Sequence, residues 1–412
     1  FFFYYSFFLT SIYMKKKLNI HLFFYLLVLL CFSYFFLFIK HQVGNDSTIS
    51  EWLINYEGGF TKRGIVGQIA IEFARLFETN LRWVIFLLQS FVCTIYFLIL
   101  YKFFKNLKFE RSIILSIFTP IFILYPIAEI EVLARKEIIV FISFLIYLLI
   151  PRENNLKMFS LALFSIFSIL VWEPIIFFFP LILLLEIIEN NIKKFDFKLL
   201  KIILSFFPSL LIAFIFIFNP LTLEEHYNMT LVLKNEFGQD CYMSCALLAS
   251  KTSVIHQFQD NFARGYTFEA FFRYSLIILI GFYPLFVLFN NSFLKYKDLL
   301  FFKSFRKSIN LFLIFLSPAL LLFVMGYDWG RWVNISYVMT VLIYFQLLKN
   351  KNLIINFSKL ENGFIYRLNK KKFILLFIIF CFSWNPKTVM LGDVASFPGY
   401  RIPYKVFKIL SN

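Results

Sequence analysis

Apolar residues run along this chain in blocks of 12 to 21, separated by short polar stretches. The blocks fall at 19–39, 82–101, 112–128, 133–150, 156–171, 175–188, 200–218, 273–290, 309–325, 333–348 and 373–384. About 20 helical residues at 1.5 Å rise cross a hydrocarbon core of roughly 30 Å. The pattern therefore predicts an all-α, polytopic membrane protein with about eleven hydrophobic helices. Blocks 156–171 and 175–188 are short for a crossing, and Trp172-Glu173-Pro174 between them reads as the tip of a hairpin that stops inside the bilayer.

Loop charge sets the expected orientation. With Lys15–Lys17 placed in the cytoplasm and the segments alternated, 25 of the 41 basic residues fall in cytoplasmic loops. Those loops carry Lys102–Arg111, Arg152 and Lys157, Lys193–Lys201, Lys295–Lys307 and Lys349–Lys372. The positive-inside rule asks for this arrangement. The first 13 residues precede Met14 and are expected to be upstream read-through, leaving 14–412 as one transmembrane domain with outer loops 40–81 and 219–272.

Composition agrees with that frame. The 412 residues are 60% hydrophobic and only 16% charged, with mean hydropathy +0.76, too little polar surface to cover a soluble core. A net charge of +17 would point to nucleic acid in a soluble protein; here the cytoplasmic loops account for it, and no nucleic-acid partner is expected. The 62 phenylalanines read as lipid-facing filler. The chain is placed in a bacterial plasma (inner) membrane.

Candidate chemistry gathers in the loops on the non-cytoplasmic side. In loop 40–81, Gly58-Gly59 marks a turn and Thr61-Lys62-Arg63-Gly64 precedes a helix. That helix has Ile65, Ile69, Phe73 and Leu76 on one face and Gln68, Glu72, Arg75 and Thr79 on the other, the pattern of a helix lying on a membrane surface. Two cations at a fresh helix N-terminus suit a phosphate, although Lys62 and Arg63 could equally contact lipid headgroups. The stretch Pro126–Glu137 holds Glu129, Glu131, Arg135 and Lys136, with Glu131 and Arg135 at pairing distance if helical. Gly326–Trp332 places Asp328 and Arg331 three apart, a structural ion pair or a substrate contact. Cys241 and Cys245 face an oxidising compartment and favour a disulfide over a metal site. His226 and His256 are too scattered to complete a zinc set, so no metal is expected and no cofactor is legible.

Acids and cations from separate outer loops, converging at a bilayer surface, suit transfer of a glycosyl group from a lipid-linked sugar phosphate. The layout resembles the C-type superfamily of membrane glycosyltransferases and the bacterial O-antigen and capsule polysaccharide polymerases. The resemblance implies an essential acid and surface-lying helices in the first outer loop, which Asp46, Glu51 or Glu57 and the 65–78 helix match; Arg264-Gly265 echoes the polymerases' arginine-bearing loops. It implies Glu57, then Asp46, as the catalytic acid, Lys62 and Arg63 as phosphate ligands, and Arg135, Lys136 and Arg331 as further cations. Glu173 and Asp328 would be additional polar members, and Glu57, Arg63, Arg135, Glu173 and Arg331 should border one cavity. The partner would be a polyprenyl-phosphate-linked sugar, in cell-envelope polysaccharide synthesis. Two alternatives stay open: a transporter or flippase of envelope lipids, and a non-enzymatic subunit of an envelope-assembly complex.

Overall fold

The computed structural model describes residues 19–43, 47–108, 110–152, 156–249, 258–259, 262–263, 266–296, 298–300, 308–389, 407 and 409–411. The expectations for residues 1–13, Lys15–Lys17, Asp46, His256, Arg264-Gly265, Lys297 and the basic residues of 303–307 lie outside them.

All eleven apolar blocks contain helix. The longer helices are α1 (Asn19–Val43), α2 (Ser47–Trp52), α3 (Gly64–Leu76), α4 (Leu81–Phe104), α5 (Arg111–Phe118), α6 (Glu137–Leu149) and α7 (Leu156–Val171). There follow α8 (Phe179–Glu189), α9 (Phe197–Phe218), α10 (Leu223–Phe237), α11 (Phe268–Asn290), α12 (Ser308–Met325), α13 (Trp329–Lys349) and α14 (Lys370–Phe382). Six of them, α1, α4, α9, α11, α12 and α13, are long and apolar enough to cross a membrane. The other five predicted segments form shorter helices. Among the described residues the only strands are Ser292–Leu294 and Leu353–Ile355, a short antiparallel pair.

The 112–128 block shows why some predicted spans are short. Its helix stops at Phe118, because Pro120 has no N–H to continue the ladder. The chain then runs through turns at 120–123, where backbone carbonyls need partners at a depth without water. Asn334 on α13 supplies them, donating to the carbonyls of Ile121 at 2.8 Å and Phe122 at 3.0 Å. Tyr337, one turn on, donates to the Ser116 carbonyl at 2.7 Å. These polar residues suit α13 to the centre of the bundle, where every residue from Trp329 to Leu347 is buried.

Two close backbone approaches bring loops onto this frame. A Cβ at Gly67 would lie 2.0 Å from the Ile54 carbonyl oxygen, so α3 packs directly on the chain that follows α2. At Gly330 it would lie 1.9 Å from the Lys387 carbonyl oxygen, and the Gly330 N–H donates to the Thr388 carbonyl at 3.2 Å. α3 itself has three sides. Gly64, Val66, Gly67, Ala70, Ile71 and Ala74 are buried. Ile69, Phe73 and Leu76 are exposed, as a membrane-surface helix requires. The third side carries Gln68, Glu72 and Arg75.

The Gly67 contact is with backbone, which cannot rotate aside. Gly67→Ala should destabilise the folded protein by about 1–3 kcal/mol, the cost of overpacking a tight site, seen as a lower thermal midpoint in detergent. An unchanged midpoint would contradict the packing of α3 on residues 52–54.

Candidate functional site

Five separated segments meet at one end of the bundle and join their charged side chains into a continuous chain. Glu51, on α2, lies at its centre. Arg331, in the first turn of α13, reaches its Oε1 with Nη2 at 3.3 Å, and Arg63 approaches the same oxygen with Nη1 at 3.7 Å. Arg331 also donates through Nε to Glu137, the first residue of α6, and through Nη1 to Asp328 at 3.1 Å. Asp328 accepts a second bond from Arg135 at 3.2 Å. On the other flank Arg63 binds Glu173 bidentately, Nε and Nη2 donating at 2.7 and 2.8 Å, with the Lys62 ammonium 3.9 Å away. The buried Lys136 ammonium donates to the Arg63 carbonyl.

Local conformation aims these groups. Arg63 is the N-cap of α3 and sits in the left-handed region at φ 64°, an uncommon conformation for a residue with a side chain. Ala134 is also left-handed, at φ 55°, and the Trp52 indole donates to its carbonyl at 3.0 Å. Glu173 projects from a 3₁₀ turn, Glu173–Phe178, between α7 and α8. The sequence-predicted hairpin tip therefore lands on Arg63.

Four cations (Lys62, Arg63, Arg135, Arg331) balance four carboxylates (Glu51, Glu137, Glu173, Asp328), and a fifth basic group, Lys136, joins them with its amine brought down to about 7 by burial. Exposure grades across the chain of charges. Side chains of Glu51, Glu137 and Arg331 are no more than 6% exposed, whereas Glu173 is 21%, Asp328 28% and Lys62 46% exposed. Burial alone would raise the Glu51 carboxyl, but Arg135, Arg331, Arg63 and Lys136 outweigh it and hold it down at about 2. Glu173 follows the same logic: burial raises it, and Arg63 and Lys62 bring it to about 2. Both are ionised at any physiological pH.

Several buried polar atoms here have no hydrogen-bond partner among the described residues: Glu51 Oε2, Glu137 Oε2, Arg135 Nε and the indole nitrogens of Trp172 and Trp332. Arg135, Glu137 and Arg331 line a cavity of about 30 Å³ with Tyr125 and Asn334, room for a water. A second, larger cavity of about 160 Å³ opens between α11, α12 and α13. It is walled by Phe282, Phe289, Phe312, Leu316 and Phe323, and it touches α13 through Val333, Ser336 and Thr340, a different side of that helix from Arg331, which lines the smaller cavity.

Of the five residues expected to border one cavity, Arg135 and Arg331 line the small cavity together, while Arg63 and Glu173 are joined to them by ion pairs and not by that cavity. Lys62, Lys136 and Asp328 also join the cluster. Asp328 and Arg331 pair as their spacing predicts. Glu57 does not join. Its carboxylate is taken by Arg75, at 2.9 and 3.1 Å, and by Gln68 at 2.8 Å; Arg75 also binds Glu236 of α10. The Arg75 bonds come first among the causes that lower the Glu57 carboxyl. Glu57 thus ties its loop to α3, and Arg75 ties α3 to α10. The expected Glu131–Arg135 pair is also absent: residues 130–132 form a 3₁₀ turn rather than α-helix, and Arg135 points to Asp328 instead. Cys241 and Cys245 form a disulfide, and the turn they close docks on α2, with Ser244 N–H donating to Ser50 Oγ at 3.2 Å.

Nothing in its sequence context distinguishes Glu137, and the same holds for a second polar cluster at the opposite ends of α6, α8 and α13. There Tyr147 donates to the buried Glu186, and Asn190 donates to the same carboxylate at 2.9 Å. Asn350 donates to Glu189 at 2.6 Å, and the buried Lys157 ammonium donates to the Tyr147 carbonyl at 2.6 Å. Glu186 and Glu189 sit at the end of a long apolar run, which made them look like flanking residues. No family model, curated protein or solved structure matches this chain.

A carboxylate whose folded value is depressed contributes stability that is fully present above its ordinary value of 4.5 and lost as pH falls toward the folded value. Burial brings the Lys136 amine down to about 7. The thermal midpoint in detergent should therefore fall as pH drops toward about 7, stay nearly flat from about pH 6 to about pH 5, and drop again between about 4.5 and 2 as the two carboxylates protonate. Glu51→Gln should flatten part of that drop. A midpoint that falls steadily between about pH 6 and 5, or that holds to about pH 2, would contradict this electrostatic account.

Proposed function

We propose that this chain is a multi-pass membrane glycosyltransferase or polysaccharide polymerase acting on a lipid-linked sugar at the non-cytoplasmic face. One observation carries the reading. Five basic residues and four carboxylates from five segments converge where the helices end, and α3, which Arg63 caps, exposes the apolar side chains of Ile69, Phe73 and Leu76. A lipid-linked sugar phosphate has the complementary anatomy: a hydrocarbon chain, then a phosphate, then polar hydroxyls. In this reading the hydrocarbon chain lies along the exposed apolar side of α3, and Lys62, Arg63 and Arg135 hold the phosphate. Their charge would stabilise the phosphate as the glycosyl bond breaks. Arg331 is enclosed by Glu51, Glu137 and Asp328, and its part is to fix those carboxylates.

The acid assigned from the sequence, Glu57, is committed to Arg75. Asp328 fits the role better. It is the most exposed carboxylate of the cluster at 28%, and Arg135 and Arg331 hold its orientation. It would accept the hydrogen bond of the acceptor hydroxyl and align it for attack.

A second reading, ion-coupled transport, is favoured by the other cluster. Buried ionisable groups within apolar helices mark many ion pathways, and Glu186, Glu189 and Lys157 are such groups. Glu186→Gln separates the two readings: it should abolish transport driven by a proton or cation gradient and leave glycosyl transfer intact.

The direct test supplies the protein, in membranes, with a polyprenyl-phosphate-linked sugar and follows release of the lipid phosphate. Asp328→Asn and Arg63→Gln should each lower turnover by ~10²-fold or more, the scale for losing one preorganised charged contact, with thermal midpoints close to wild type. Wild-type turnover in the Asp328→Asn protein would remove Asp328 from the mechanism.

A further inference from the structure

Glu173 stands apart from the other carboxylates in the cluster. Glu51 and Glu137 are enclosed and bind Arg331, which cannot leave the centre of the bundle. The Arg63–Glu173 pair lies at the rim, with both side chains about one-fifth exposed and the still more exposed Lys62 beside it. Arg63 does not depend on Glu173 for its position. Its Nη1 faces Glu51 at 3.7 Å and its carbonyl accepts from Lys136, so the guanidinium stays anchored from behind if Glu173 departs. The fork of Nε and Nη2 that now grips a carboxylate has the geometry that also grips phosphate.

The location favours an anion as well. Arg63 caps the 13-residue helix α3, whose first turn has no side-chain cap, so the positive end of its dipole adds to the two cations. Beside Glu173, the fully buried Trp172 indole N–H is a donor without a partner among the described residues. If Glu173 moves away, Lys62, Arg63, Arg135 and Arg331 face only Glu51, Glu137 and Asp328, an excess of at least one positive charge. That excess calls for an anion, not for a neutral sugar hydroxyl.

We propose that Glu173 is a built-in competitor for the ligand's phosphate: its carboxylate closes the Lys62–Arg63 site in the free protein and is displaced when a phosphate binds. This rests on the reading that Lys62 and Arg63 hold a phosphate. It adds that the free site is closed, that the hairpin tip carrying Glu173 must shift for binding, and that removing the Glu173 charge tightens binding while removing Arg63 weakens it.

A binding measurement on the full-length protein in nanodiscs tests this without any turnover. In one arm inorganic phosphate is titrated into discs of phosphatidylcholine; in the other, phosphatidic acid replaces part of the phosphatidylcholine, and binding is read from the shift in thermal midpoint. Glu173→Gln keeps the shape of the side chain and removes one negative charge a few ångströms from the ligand. At a partly exposed site it should tighten phosphate binding by about ten-fold or more. In the Arg63→Gln background the same change should give no gain, because no fork remains to be freed; Lys62→Gln, farther from the pair, should reduce the gain without abolishing it. A gain in the soluble arm identifies free phosphate as a ligand, and a gain confined to the phosphatidic acid arm identifies a lipid phosphate; either supports the competitor. Unchanged affinity in Glu173→Gln, in both arms, overturns it, as does a gain that persists without Arg63. Phosphate binding that behaves as expected in a protein that transfers no sugar would sink the glycosyltransferase reading and leave this inference standing.

Discussion

The Glu51 carboxylate, buried and shared between Arg63 and Arg331, is the interaction on which the rest of this structure depends. A lone carboxylate in an apolar interior would cost several kcal/mol or take up a proton. Glu51 remains charged because guanidinium groups approach from two directions, and each of those needs further carboxylates. Arg331 finds Glu137 and Asp328; Arg63 finds Glu173. Removing Glu51 or Arg331, the enclosed members, strands the other. Charge balance therefore ties together the α2–α3 loop, the start of α6, the α7–α8 tip and the start of α13, although Glu51 and Arg331 stand 280 positions apart.

The apolar frame makes this closure possible. α13 is buried along its length, so a cation in its first turn faces protein on every side. Its polar residues take up the carbonyls that the break after α5 leaves open, which holds the start of α6 beside it. Gly67 and Gly330 let backbone touch backbone, drawing the α2 segment and residues 387–388 onto the same end. Two left-handed residues, Arg63 and Ala134, turn the chain where the charges must point, and in each the carbonyl is held by a side chain from another segment.

Much of the frame was legible in the sequence because hydrophobic blocks report burial directly. Every apolar block contains helix, and six of the helices are long and apolar enough to cross a membrane; the Cys241–Cys245 pair bonded, and Asp328 and Arg331 paired at their helical spacing. The candidate site was legible only in part. Lys62, Arg63, Arg135, Lys136, Glu173, Asp328 and Arg331 stood out as charges next to apolar runs, and all of them entered the cluster. Which acid they serve was not legible: Glu51 and Glu57 lie in the same loop, and only the packing of Gly67 on residue 54 turns one inward and leaves the other to Arg75. The Glu131–Arg135 expectation failed because an i,i+4 rule presumes α-helix, and the chain there makes a 3₁₀ turn. Glu186 was missed because a carboxylate at the end of an apolar run looks like a loop residue until Tyr147 and Asn190 close around it.

The central claim is that Glu51 and Arg331 act as one buried, mutually dependent pair, and a double-mutant cycle tests it most directly. Unfolding free energies in detergent would be compared for wild type, Glu51→Gln, Arg331→Gln and the double variant. Each single change leaves a charge buried without its counterion, so each should cost about 3–5 kcal/mol. The double variant should cost less than the sum of the two, with a coupling of about 2 kcal/mol or more. Single-variant costs that simply add would contradict the claim and return Glu51 and Arg331 to the status of independent residues.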